Sequence, residues 1–137
     1  MPRLSAWMIR SSLFALLLGS AAGALLLSRA APARSLALTP QLRAMHLDLI
    51  LFGWLVQFVL GVAHWILPRY AIRPERGPAL PAWTAFGLFQ GGLVLCLVGA
   101  AAPALHALAP AGRILLTGGA LLFLFLLFPR VKPFGNP

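Results

Sequence analysis

Four apolar stretches, at residues 11–28, 44–67, 82–102 and 112–128, alternate along this chain with short segments carrying arginine, proline and glycine. A helix that crosses the hydrocarbon core of a bilayer takes about 17 to 25 predominantly apolar residues, and the stretches fall in or near that range. The pattern predicts an all-α integral membrane protein, a four-helix transmembrane bundle forming one domain over residues 1–137.

The second stretch carries the clearest punctuation. Thr39 suits an N-cap, Pro40 suits the first helical position where no N–H partner is needed, and Pro68 stops the run. The intervening 28 or so residues span roughly 42 Å as a helix, enough for a bilayer and its interfaces. The first stretch follows Arg3 and Arg10 and contains small-residue sites such as Ser20-Ala21-Ala22, the make-up of a secretory signal peptide. A retained helix is the reading preferred, with Gly19 and Gly23 four apart for close packing. Gly87, Gly91 and Gly92 offer the third helix a face for a neighbour or a planar group. Ile114–Phe128 is short for a perpendicular crossing unless residues before Arg113 contribute, and its Leu- and Phe-rich end faces lipid or a partner. Residues 28–38, the basic proline-rich run 68–81 and the tail from Pro129 read as polar-side connections, with Trp65, Tyr70 and Trp83 at headgroup level.

Composition sharpens the class. Hydrophobic residues make up 61% and charged ones 9%, which excludes an ordinary soluble domain. Eleven Lys and Arg against two acids give +9, but the charges lie in loops and tails. They orient helices and meet the anionic headgroups of the lipid bilayer; no nucleic-acid module is present. With four spans, Arg3, Arg10, Arg69, Arg73, Arg76, Arg130 and Lys132 fall on one side and Arg29, Arg34, Arg43 and Arg113 on the other. That asymmetry puts both termini in the cytoplasm of a bacterial-type inner membrane. Cys96 is alone in an apolar run, a small buried residue rather than part of a disulfide or metal framework.

On a helix wheel of roughly 100° per residue, His46, Gly53, Gln57 and His64 fall within about 20° of one another, with Gly61 about 60° off. Polar groups inside a membrane face protein, water or a cofactor. One reading is helix packing, glycines admitting a neighbour and Gln57 bonding across the contact. The other is a flat macrocycle lying on the small residues with an imidazole on its iron. The antiparallel arrangement puts His106, beyond Pro103, at the depth of His46, a candidate bis-histidine pair; a symmetric dimer supplying His46 twice is the alternative. His64 lies about 27 Å along the helix from His46 and cannot share its iron. Asp48 points away from His46 and has Arg43, Arg113 or a partner chain's arginine as possible mates.

Arg43, His46, Gly53-Trp54, Gly61 and the closing Pro68-Arg69 resemble the second transmembrane helix of the catalytic subunit of haem-copper oxidases and their nitric oxide reductase relatives, over residues 42–69. There an inward-running helix supplies one axial histidine to the low-spin haem near the outer face. The resemblance implies that His46 is a haem ligand, and Arg43 is placed to neutralise a propionate. Three histidines cannot also build the family's copper site, so no oxidase or reductase activity is expected of this chain alone. The reading is a b-type haem-binding membrane electron-transfer protein, or a subunit of a respiratory or photosynthetic complex, with His46 and His106 as metal ligands and Arg43, Gly53 and Gln57 lining the site. Its partners are other subunits or a second copy. The alternative is a cofactor-free structural accessory subunit.

Overall fold

The computed structural model describes residues 1–28, 33–67 and 79–131, and every element among them is helical. Helix α1 spans Arg3–Leu27 and α2 Ala33–Asp48; a π-helical segment, Leu49–Val56, continues α2 directly into α3, Gln57–Ile66. Helix α4, Ala79–Ala101, is joined through a 3-10 turn at Pro103–Leu105 to α5, Leu108–Leu127, which ends in a second 3-10 turn, Phe128–Arg130. Four helices, Arg3–Leu27, Pro40–Ile66, Ala79–Ala101 and Leu108–Arg130, are long and apolar enough to cross a membrane. The fourth gains its length from Leu108 onward, so residues before Arg113 do contribute.

Two expectations about boundaries change. Helix α2 begins at Ala33, so Thr39 is not its cap and Pro40 lies inside it. The stretch from Ala33 to Leu38 is rich in Ala and Leu, whose helix propensity carries the helix past the missing N–H of Pro40. The first span likewise starts at Arg3, well before the apolar run. The connections at 29–32 and 68–78, with Arg29, Pro68, Arg69, Tyr70, Arg73 and Arg76, and the tail 132–137 with Lys132, lie outside the described residues.

Small side chains set the packing. The buried positions of α1 include Ser5, Met8, Ser12, Ala15, Gly19 and Ala22, spaced alternately three and four apart. That is the period of a left-handed helix seam, which lets two backbones run side by side at a shallow angle. The same alternation gives α4 its buried Ala85, Phe89, Gly92, Cys96 and Gly99, facing Gly112, Leu116 and Gly119 of α5. A Cβ built on Gly112 would lie 2.6 Å from the Gly92 carbonyl oxygen and 2.7 Å from the Cys96 nitrogen, so the two backbones are nearly touching. Gly87 and Gly91, expected to admit a neighbour, have nothing within 4 Å of such a Cβ; the close face of α4 is turned to α5 through Gly92 and Gly99 instead. Cys96 is buried in this seam, its thiol directed at the Ala109 carbonyl at 3.7 Å. Phe89, Leu93, Leu116, Phe123, Met8 and Leu60 fill the centre. Large apolar side chains such as Phe14, Leu17, Phe125 and Phe128 point outward, a surface suited to lipid.

One end of the bundle is fastened by Arg130, which is 2% exposed. Its Nη2 donates to the carbonyls of His64 (3.1 Å) and Leu67 (2.6 Å), and its Nη1 to Nδ1 of His64 (3.4 Å). The last carbonyls of α3 have no intrahelical donors, so the guanidinium serves as a C-terminal cap supplied from the 3-10 turn after α5. Replacing Arg130 with methionine is expected to cost about 1–2 kcal/mol of stability, read as a lower unfolding midpoint in detergent. Arg130→Lys, with a point charge in place of a planar fork, should recover less than half of it.

Candidate functional site

Of the polar face read from the helix wheel, His46, Gly53 and Gln57 turn to α1, with Gly61 beside them, whereas His64 meets Arg130. The Nδ1–H of His46 donates to the Gly19 carbonyl at 2.8 Å, and a Cβ on Gly23 would lie 2.8 Å from the ring's Cε1. Gly19 and Gly23 are thus a slot for an imidazole and for Leu49 and Ile50, one turn apart on α1. Further along, a Cβ on Gly53 would meet the Ala15 methyl at 2.8 Å and Leu93 at 3.1 Å, and one on Gly61 would meet Met8 at 2.9 Å. Gln57 is 1% exposed; its Nε2 donates to the Met8 carbonyl at 3.0 Å and to the Ser11 hydroxyl, while its Oε1 has no donor among the described residues. Gly53, Gln57 and Gly61 therefore engage α1, with the Gln57 Oε1 left as a buried acceptor.

His46 differs from them. A carbonyl can only accept, so in the neutral ring the proton sits on Nδ1 and the lone pair on Nε2. The ring is half-buried, and Nε2 neither bonds to a described residue nor belongs to the enclosed polar atoms left without a partner. His106 shares this arrangement, its Nδ1–H also donating to a main-chain carbonyl, so the hydrogen bond fixes a tautomer in both rings without singling out a ligand. Arg43, one turn before His46, is exposed.

The other histidines are elsewhere. His106 is exposed on the link between α4 and α5, and its own Nδ1–H donates to Pro103 at 2.9 Å; no contact brings it to His46. His64 is at the opposite end of the same continuous helix, against Arg130. Among the described residues no three of His, Cys, Asp and Glu come together.

Asp48, two residues after His46, faces the other way and pairs with Arg113: Nη1 to Oδ1 at 2.7 Å and Nη2 to Oδ2 at 3.1 Å. The Asp48 side chain is 5% exposed and that of Arg113 49%. The guanidinium also lies 5.6 Å from the centroid of the Phe52 ring. This fork fastens the start of the π-helical segment to α5, a packing role rather than a reactive one. Of the arginines weighed for Asp48, the fold selects the one on α5.

No family model, curated protein or solved structure matches this chain. The 3-4 spacing of small residues on α1 and α4 was the signal open to sequence reasoning beyond the glycine pairs, and it names the packed faces.

Proposed function

We propose that this protein is a multi-pass membrane subunit that binds haem b through Nε2 of His46 and passes electrons within a respiratory or photosynthetic membrane complex. The observation that carries this reading is the pinned imidazole with its open Nε2. The hydrogen bond to Gly19 holds the ring's orientation, as carbonyl partners do for ligating histidines. Bound haem b would supply reversible one-electron exchange at its iron, with a potential set by axial ligand, burial and charge. Arg43 supplies a cation for a propionate one turn from His46. Seven basic residues against four support a cytoplasmic location for both termini.

The test is a reduced-minus-oxidised absorbance spectrum of the protein purified in mild detergent. Sharp reduced bands are expected, with at least a tenfold loss in His46→Ala. A flat spectrum from a folded sample sinks the reading.

A second reading, a cofactor-free accessory subunit, is favoured by the engagement of Gly53, Gln57 and Gly61 in the α1 contact. Its signature is co-purification with a larger assembly without any chromophore.

A further inference from the structure

Two packing contacts set a depth scale for the bundle: Gly61 of α3 lies on Met8 of α1, and Gly53 lies on Leu93 of α4. Counting about 1.5 Å per residue from these contacts puts Trp7, Trp65 and Trp83 within about 5 Å of one another in depth, at one end of the bundle. Each is exposed, at 56%, 43% and 41%. Exposed tryptophans at a common depth mark the level where hydrocarbon gives way to lipid headgroups. Arg10, three residues beyond Trp7 on α1, leaves the helix about 4.5 Å to the hydrocarbon side of that level, and Arg3 leaves it about 6 Å to the outer side.

We propose that Arg10, Trp7 and Arg3 bind the headgroup of an anionic phospholipid, with Arg10 holding the phosphate and the acyl chains lying along Phe14 and Leu17. The inference rests on the multi-pass membrane reading above and is independent of the haem.

Three observations carry it. At roughly 100° per residue, Arg3, Trp7, Arg10, Phe14 and Leu17 fall within about 80° of one another on α1. All five are exposed, so one unpartnered face carries two cations and an indole at one end and apolar side chains beyond them. Arg10 has no acidic partner among the described residues, whereas Arg113 is paired with Asp48 and Arg130 is bound to the carbonyls of His64 and Leu67. An exposed cation starting at hydrocarbon depth is costly unless an opposite charge meets it.

The direction of the side chain says where that charge lies. Helical side chains tilt toward the N-terminus of their helix, so the guanidinium of Arg10 returns along α1 to the level of Trp7, where lipid phosphates begin. There its planar fork matches two phosphate oxygens. Arg3 meets the outer part of the same headgroup, and its charge repels a choline or ethanolamine ammonium while tolerating an uncharged glycerol or a second phosphate. The face is therefore complementary to a lipid of net negative charge.

Native mass spectrometry of the full chain, extracted in mild detergent and offered phosphatidylglycerol or phosphatidylcholine of matched acyl chains, tests this. The expected result is one phosphatidylglycerol retained per chain, bound at least fivefold more tightly than phosphatidylcholine. Arg10→Gln should weaken phosphatidylglycerol binding about fivefold or more at an unchanged unfolding midpoint. Arg3→Gln should narrow the preference between the two lipids. Equal retention of both lipids by the wild-type chain, or undiminished phosphatidylglycerol binding in Arg10→Gln, overturns the site while leaving the multi-pass reading intact. A chain that alkaline carbonate strips from its native membrane overturns both.

Discussion

Arg113→Gln should destabilise the protein more than any other single change at a charged position, by about 3 kcal/mol, because it leaves the Asp48 carboxylate buried without its cation. Asp48 is 4% exposed, and both of its oxygens are engaged by the same guanidinium. The reverse change, Asp48→Asn, should be milder, since the half-exposed Arg113 can turn outward and retain its contact with the Phe52 ring. The double replacement by leucine and methionine should cost less than Arg113→Gln alone, as paired buried charges replaced together by apolar groups often do. Unfolding midpoints of the three variants in one detergent decide it. An Arg113→Gln variant as stable as wild type would mean that Asp48 is solvated or bonded elsewhere.

Gly112→Ala is the second, and its expected cost is about 1–3 kcal/mol. The new methyl would sit 2.6 Å from the Gly92 carbonyl oxygen and 2.8 Å from the Cys96 sulfur, and a backbone oxygen cannot swing aside as a side chain would. Alanine's higher helix propensity, worth about 1 kcal/mol over glycine, offsets part of this. The comparison with Gly87→Ala, Gly91→Ala and Gly118→Ala isolates the seam, because nothing lies within 4 Å of a Cβ at those three positions. They should be neutral or slightly stabilising. Equal destabilisation at Gly87 and Gly112 would contradict the α4–α5 contact described above.

Both predictions depend on how membrane-type helices find their neighbours. Between lipid and protein a leucine gains little from burial, so apolar runs mark helices able to span a membrane but do not say which side of each is inside. What distinguishes a contact is size: Gly92, Gly99 and Gly112 are in, and Gly87, Gly91 and Gly118 are out, although all six look alike to a hydropathy profile. The seams were written in the three-and-four spacing of small residues, and the glycine pairs four apart gave only part of it. For the candidate site, the shared face of His46, Gly53 and Gln57 was legible from the 3.6-residue period and proves to be the α1 contact. That Gly53 and Gln57 serve packing while His46 retains an open nitrogen was not legible, because it depends on which α1 residues lie opposite each of them.

From its sequence alone this chain determined an all-helical fold with four helices able to span a membrane and the apolar character of their surface. Those are properties of length, composition and local period. The tertiary structure alone decided that Asp48 meets Arg113, that Arg130 caps α3, and that Gly19 fixes the tautomer of His46. Each of these joins residues at least 27 positions apart, and a directed hydrogen bond needs an orientation that no one-dimensional pattern carries.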